Sequence, residues 1–181
     1  MRQILRLLPA LLVVVSGPLR AQSDDPLVMQ IRQLAPRFQL ISGYTNGNLL
    51  AFIGAHGVFL VDGQSKERVG LADSALRTVT QLPVRLLVNT HFHEDHTAGN
   101  PHWRAQGARI IGQENLRAEA IKDTTITELE WHRTPAVPEA LPDQTFGDSL
   151  AFEFEGEPIV LLHPVAAHTS GDAVIWFPAP T

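Results

Sequence analysis

Residues Val84 to Asn89, with the sequence VRLLVN, form a short and almost continuous apolar segment that restricts the folds open to this chain. A strand that alternates apolar and polar residues buries one face, whereas a nearly continuous apolar strand is buried on both. Apolar residues at helical spacing between about Ser65 and Leu82, followed by Pro83, predict a helix immediately before it. The segment therefore predicts a layered α/β (α+β) domain whose sheet is covered on both sides.

Further strands are predicted on both sides of this helix and strand. Upstream, apolar runs at Phe38–Ile41, Leu49–Ile53 and Val58–Val61, separated by glycine-containing turns, predict an antiparallel meander. Residues 22–37 are polar and carry only a short amphipathic segment around Val28 to Leu34. Downstream, helices are predicted near 98–106 and 113–122, strands near 108–111, 150–154, 158–162 and 173–177, and a loop-rich stretch over 123–145.

Composition excludes several classes of function. The 181 residues contain no cysteine, which excludes disulfides, thiolate nucleophiles and cysteine-ligated zinc. The formal net charge is −5 and no basic stripe is present, so no nucleic-acid partner is expected. Any metal ligand must therefore be a histidine, an aspartate or a glutamate.

The first residues have the order of an export signal. Arg2 and Arg6 lie close to the start of the chain, an apolar run extends from Leu7 to Val15, and Ala21 ends a plausible cleavage site. The run is much shorter than the roughly 20 residues of a spanning helix. We therefore expect a signal peptide over residues 1–21, one domain over residues 22–181, a periplasmic or secreted location, and no stable membrane span after cleavage.

A histidine-rich string follows the apolar strand, at the strand end where open α/β sheets place their ligands. His91 and His93 are two residues apart, so in extended backbone both rings can face one ion, and Asp95 continues that alternation. His96 follows at a predicted helix start, so one loop can supply two adjacent metals. Imidazole and carboxylate ligands suit zinc and also iron or manganese. A catalytic zinc usually has three protein ligands. The histidines that could supply the third are His56, His102, His132, His163 and His168.

The string His91-Phe92-His93-Glu94-Asp95-His96 resembles the HxHxDH signature of the metallo-β-lactamase superfamily. Val61-Asp62-Gly63 upstream and Ala167 to Asp172 downstream resemble that family's acid after a strand and its histidine loop. The resemblance covers roughly residues 38–181. It implies an αββα sandwich with metals in a cleft at one edge of the two sheets.

The resemblance also implies the site residues and the chemistry. His91, His93 and His168 would bind a first metal, and Asp95 and His96 a second. Asp95 would also be catalytic, by orienting the nucleophile or taking its proton. Asp62 is a candidate to support a metal-bound histidine, or else a turn acid at the end of its strand, and Asp172, which precedes the last predicted strand, is expected to cap or brace the His168 loop. The implied function is an exported zinc hydrolase, with one or two ions, that uses a metal-bound hydroxide on a small ester, thioester, lactam or phosphoester.

The chain departs from the family pattern after its last predicted strand, at Ala173 to Phe177. The family continues with a bridging acid and a final histidine, and the residues from Pro178 onward match neither. We therefore expect an αββα sandwich that lacks its C-terminal strands and helices, as in a truncated chain. The alternatives are a catalytically impaired remnant that binds one metal and an iron-dependent oxidoreductase relative. A β-lactamase is the less favoured hydrolase, because Gly171-Asp172 is closer to the general hydrolase branches. The sequence gives no oligomeric state.

Overall fold

A computed structural model describes residues 28–43, 47–165 and 167–178. The signal peptide predicted over residues 1–21 lies outside the described residues. The strands are β1 (Gln30–Ala35), β2 (Phe38–Ser42), β3 (Leu49–Ile53), β4 (Val58–Val61), β5 (Val84–Val88), β6 (Arg109–Gln113), β7 (Thr124–Ile126), β8 (Trp131–Arg133), β9 (Gln144–Phe146), β10 (Ser149–Phe154), β11 (Glu157–Leu162) and β12 (Val174–Trp176). The helices are α1 (Val69–Arg77), α2 (Glu94–Thr97), α3 (Asn100–Ala105) and α4 (Glu114–Ala120), with 3-10 turns at Thr127–Leu129 and Pro138–Ala140.

Two sheets make up the main body. The larger sheet has the strand order β1-β2-β3-β4-β5-β6-β9. Its strands pair antiparallel from β1 to β4 and parallel from β4 through β5 and β6 to β9. The smaller sheet, β10-β11-β12, is antiparallel. This mixed arrangement confirms the predicted meander and the α/β class.

The large sheet is covered on both faces. Val69 and Leu76 of α1, with Trp103 of α3, form one apolar cluster with residues of β2 to β6, among them Leu87. Val88, the next residue of β5, belongs instead to a second cluster, which joins the large sheet to the small one. The described residues therefore form three layers, helices, large sheet and small sheet, and β5 has residues in the apolar clusters on both faces of the large sheet, as predicted.

Several local features differ from the sequence prediction, and one of them is the end of α1, which lies at Arg77 rather than near Leu82. A strand, β1, occupies Gln30–Ala35, where only an amphipathic segment was expected; it is a sheet edge, so backbone pairing with β2 rather than an apolar pattern fixes it. Helix α1 begins only at Val69, because the chain after β4 first makes a turn with left-handed backbone at Asp62 (φ 68°) and Gln64 (φ 72°). The loop-rich stretch 123–145 contains the β7-β8 hairpin and the first two residues of β9.

The length and apolar character of the helices decide whether any of them could span a membrane. None of the helices in residues 28–43, 47–165 and 167–178 is long and apolar enough to cross a bilayer.

Candidate metal centre

The histidine string begins in the connection from β5 to α2 and ends within α2, and hydrogen bonds to the His96 carbonyl hold its last residue in place. The carbonyl of His96, the last residue of the string, accepts hydrogen bonds from Asn89 Nδ2 (2.9 Å) and from the Gly63 amide (2.7 Å). Asn89 is itself fully buried and paired with Asn100, whose Nδ2 donates to Asn89 Oδ1 at 2.8 Å. The Asn89 side chain, directly after β5, thus ties the start of the histidine loop to its last residue, His96.

Three imidazoles converge at this strand end. His91 Nε2 lies 3.1 Å from His93 Nδ1, and His93 Nδ1 lies 3.1 Å from His168 Nε2. One ligand nitrogen from each of the three residues falls within 4.8 Å of the others. His91 is buried, His93 is half-buried and His168 is exposed, so the group opens to solvent on one side.

The surroundings favour uncharged imidazoles at the centre of this group. Burial, followed by the charges that neighbouring His96, His93 and His168 can carry, lowers the pKa of His91 to about 4. Burial and the proximity of His168 also lower the pKa of His93. Neutral imidazoles are the form that coordinates a metal, so these two rings are ready to bind one near neutral pH.

His168 comes from a loop 75 residues further along the chain, and Asp172 organises that loop. The Asp172 carboxylate accepts hydrogen bonds from the amides of His168 (2.6 Å) and Thr169 (3.0 Å) and from Thr169 Oγ1 (2.5 Å). Burial opposes ionisation of Asp172, but these hydrogen bonds prevail and its pKa lies below the usual value. The Ala173 amide donates to the Thr90 carbonyl at 2.7 Å, which joins the loop to the histidine string.

Asp62 supports the string from the end of β4. Its Oδ2 lies 2.7 Å from His96 Nδ1, and its carboxylate accepts from the Thr90 amide (2.7 Å) and hydroxyl (2.9 Å). The Thr90 hydroxyl is also 3.0 Å from His91 Nδ1. Asp62 therefore reaches two histidines through their Nδ1 sides, one directly and one through Thr90, and the Nε2 atoms of both point towards Asp95 and His93.

Asp95 and His96 lie beside the three-histidine group. Asp95 Oδ2 is 3.2 Å from His96 Nε2, and the rings of His91 and His96 are 4.1 Å apart between centroids. Burial acts to lower the pKa of His96, but the hydrogen bond and charge of Asp62, with the charge of Asp95, raise it overall. Within the described residues, Asp95 and His96 do not belong to any group of three histidines or acids that could hold one metal ion.

The other histidines considered as third ligands have different partners. His56 lies exposed in the turn between β3 and β4. His102 Nε2 bonds Asp73 Oδ2, His132 Nε2 bonds Asp123 Oδ1, and His163 Nδ1 lies 2.8 Å from the Asp172 carbonyl oxygen. Of the five candidates, the structure brings only His168 to the pair formed by His91 and His93.

Sequence reasoning assigned no role to two residues of the site, Asn89 and Thr90. Thr90 links Asp62 to His91, and Asn89 links the two ends of the histidine string. Both directly follow the buried strand, and polar residues at that position are a signal that could have identified them.

The donor set fits a metal on chemical grounds. Three imidazoles with an open side match the ligand number of a catalytic zinc, and iron and manganese accept the same ligand types.

Comparison with known proteins agrees with the fold and the motif. The sequence profile described as "Metallo-beta-lactamase superfamily" matches residues 43–181. A metallo-beta-lactamase from Pontibacter korlensis superposes with a TM-score of 0.68 at 19% identity, over 83% of this chain and 67% of that one. BJP-1, a subclass B3 metallo-beta-lactamase of Bradyrhizobium japonicum, superposes with a TM-score of 0.69 at 17% identity, over 83% of this chain and 57% of that one. The FEZ-1 metallo-beta-lactamase from Legionella gormanii superposes with a TM-score of 0.68 at 14% identity, over 81% of this chain and 57% of that one.

These identities establish a shared fold, and the chain spans between 57% and 67% of the length of these three solved structures. The profile match covers most of the chain and includes the histidine string and the His168 loop. The chain therefore belongs to the metallo-beta-lactamase superfamily.

Proposed function

We propose that this protein is a metal-dependent hydrolase, with zinc as the metal. The observation that carries the proposal is the convergence of His91, His93 and His168, whose ligand nitrogens lie within 4.8 Å of one another. These residues would hold one ion, and Asp95 and His96 offer ligands to a second. Zinc in such a site would supply Lewis acidity, which polarises the bond under attack and makes water acidic enough to react near neutral pH.

The protein's own residues would orient the ligands. Asp62 fixes the His96 ring through Nδ1, and Thr90 holds the Nδ1 side of His91. Such outer partners set the tautomer and direction of each ring and are typically worth 10- to 100-fold in metal affinity or activity.

Asp95 would act as the proton acceptor in the reaction. Its side chain is about 39% exposed and its Oδ2 lies 3.2 Å from His96 Nε2, so the carboxylate is open to solvent and borders the site. We propose that Asp95 accepts a proton from the attacking water and so favours the nucleophilic form.

The substrate we propose is a small ester, thioester, lactam or phosphoester. Several structural neighbours are named as metallo-beta-lactamases, which makes a β-lactam one member of the panel to be tested. We also propose that residues 1–21 direct export and that residues 22–181 form the mature domain.

A second candidate is a metal-binding remnant without turnover. It is favoured by the single three-ligand group among the described residues, since Asp95 and His96 find no third ligand there.

The experiment that tests the hydrolase is a turnover panel on the full chain. p-Nitrophenyl acetate, a thioester, nitrocefin and bis-p-nitrophenyl phosphate would be assayed with added zinc, with chelator, and with Asp95→Asn and Glu94→Gln variants. We expect chelator-sensitive hydrolysis of at least one substrate that Asp95→Asn greatly reduces and the neighbouring Glu94→Gln retains. Zinc binding without any turnover would support the remnant, and a coloured iron protein would support the oxidoreductase alternative.

A further inference from the structure

Gly47, in the connection between β2 and β3, lies against the two residues proposed as ligands of a second ion. A Cβ atom added to Gly47 would lie 2.8 Å from the Asp95 carbonyl oxygen, 2.9 Å from His96 Cε1 and 3.1 Å from His96 Nε2. Non-bonded carbon atoms make their best contacts at about 3.5–4.0 Å. The position therefore has no room for a side chain, and glycine is the residue that lets the backbone approach His96 so closely.

A buried side chain holds the backbone of Gly47 in this place. Gln64 Nε2 donates a hydrogen bond to the Gly47 carbonyl at 2.5 Å. Gln64 is fully buried, and its own carbonyl accepts from the Gly99 amide at 2.7 Å. Its Oε1 accepts from the Ser65 amide at 3.0 Å. Because both its backbone and its side chain are engaged, Gln64 is a fixed support for the β2–β3 connection.

The tight turn that carries Gln64 also carries the acid that holds His96. Asp62 and Gln64 both have left-handed backbone, with φ of 68° and 72°. His96 Nδ1 donates to Asp62 Oδ2 at 2.7 Å. One turn after β4 therefore holds the Nδ1 side of the His96 ring through Asp62. Through Gln64 it also keeps Gly47 against Cε1 and Nε2 of the same ring.

These two contacts restrict the direction of His96 Nε2, which lies 3.2 Å from Asp95 Oδ2. A rotation of the ring away from Gly47 would lengthen the bond between its Nδ1 and Asp62. A shift of Gly47 away from the ring would break its bond to Gln64. The direction of Nε2 therefore depends on the absence of a side chain at position 47.

We propose that Gly47 is a positioning residue for His96: its bare backbone, held by Gln64, keeps His96 Nε2 beside Asp95 Oδ2 so that both atoms can bind a second metal ion. The proposal rests on the proposed function, because zinc is the ion that would occupy this position. It goes beyond that function by giving a role to two residues that bind no metal themselves.

A side chain at position 47 should affect the two ions differently. The three atoms nearest to the added Cβ belong to Asp95 and His96, and none belongs to the three-histidine group. A methyl group would therefore act first on the ligands of the second ion. We expect the second ion to be weakened and the first to be retained.

The first test measures zinc binding to the full chain by isothermal titration calorimetry. In Gly47→Ala the second ion should bind at least about ten-fold more weakly, the effect typical of groups that orient metal ligands, and the first ion should bind like the wild type. The control is Gly70→Ala in α1. It adds the same methyl group where, among the described residues, nothing beyond the neighbouring helix backbone lies within 4 Å, so it should bind both ions like the wild type.

The second test needs no metal. Long-range proton–nitrogen NMR resolves histidine ring nitrogens, and the signals of His96 are identified by their loss in His96→Gln. At fixed pH, Gly47→Ala should shift the His96 ring signals, because the methyl group displaces the ring from Asp62. The signals of the exposed His56 ring should not move, which separates a local shift from unfolding.

A third variant tests the support without adding atoms beside His96. Gln64→Met keeps a side chain of similar length in the buried position and removes the donor to the Gly47 carbonyl. It should weaken the second ion in the same direction as Gly47→Ala but less, because the connection is released rather than pushed away. This variant also decides the question if Gly47→Ala does not fold.

Several results would overturn the proposal. Wild-type affinity for the second ion, or unchanged His96 ring signals, in folded Gly47→Ala would show that Gly47 does not position the ring. Equal weakening of both ions would show that the methyl group disturbs the whole string, and wild-type binding in Gln64→Met would remove the role of Gln64. A wild-type chain that binds one ion only would refute the second-ion role alone, whereas a chain that binds none would refute the proposed function as well.

Discussion

Removing the Asp172 carboxylate tests how the distant histidine is delivered to the site. In the structure this carboxylate accepts hydrogen bonds from the amides of Ala167, His168 and Thr169 and from the Thr169 hydroxyl. Asp172→Ala removes all four acceptor contacts, so the loop no longer has a fixed conformation before the metal binds. Binding would then have to order the loop, and this cost appears as weaker metal affinity.

The magnitude follows from how such outer contacts act. Each hydrogen bond to a charged group contributes about 1.5–3 kcal/mol, but the contacts share one carboxylate and water replaces part of them. The net effect is therefore close to that of other groups that orient metal ligands, about 10- to 100-fold, or roughly 1.4–2.7 kcal/mol. Asp172→Asn keeps one carbonyl oxygen and should lose less than Asp172→Ala.

The assay is a competition for zinc against a chromophoric chelator at fixed pH, on the wild-type chain and both Asp172 variants. Asp148→Ala, which removes an exposed acid outside the loop, is the control for charge and should bind zinc like the wild type. The Tm of each metal-free variant separates loss of the loop from global unfolding. Wild-type zinc affinity in a folded Asp172→Ala chain would refute the bracing role.

Three other predictions concern the same region. His168→Ala should lose tight zinc binding whereas His56→Ala should keep it, as measured by equilibrium dialysis, because only His168 joins the group; equal retention would contradict that assignment. Gly171→Ala should destabilise the fold by about 1–3 kcal/mol in urea denaturation, because the added Cβ would lie 2.4 Å from the Leu116 amide nitrogen in α4; an unchanged midpoint would show that the contact relaxes freely. The pKa of His91 falls from 6.5 in the unfolded chain to about 4 in the folded chain. Between these two pH values the unfolded state binds more protons than the folded state. The metal-free fold should therefore lose stability as the pH falls from about 6.5 to about 4. Unfolding at pH 7 and pH 5 should show this loss in the wild type and a smaller one in His91→Asn, and an identical pH dependence would argue against the shift.

The central strands could be predicted because their signals are local. The continuous apolar run that became β5 has residues in both apolar clusters, since Leu87 faces the helices and Val88 faces the second sheet. The turn of Gly54 to Gly57 likewise predicted the β3-β4 hairpin, whose register pairs Ile53 with Val58. In each case the residues of one short segment are enough to predict its burial or its turn.

The edges of the fold could not be predicted in the same way. Strand β1 is half-exposed and carries no clean alternation, and its position depends on pairing with β2, for example Ile31 opposite Ile41. The start of α1 depends on the left-handed backbone at Asp62 and Gln64, which apolar spacing does not reveal.

In the candidate site, too, the local part could be predicted from the sequence and the distant part could not. Alternation within the string predicted that His91 and His93 could face one point, and their ligand nitrogens lie 3.1 Å apart. Local pattern could not choose the third histidine among five, because that choice depends on the return of a loop 75 residues away; only resemblance to the family selected His168. That these residues bind a metal remains a prediction.

The most direct test of the central claim is the metal content of the purified, desalted chain by elemental analysis, compared with that of His91→Ala. We predict at least one zinc ion per wild-type chain, with a second if Asp95 and His96 are also occupied, and loss of the first ion in the variant. A folded wild-type chain that retains no metal after incubation with zinc, or a variant with the same content, would contradict the assignment of His91, His93 and His168 as a metal site.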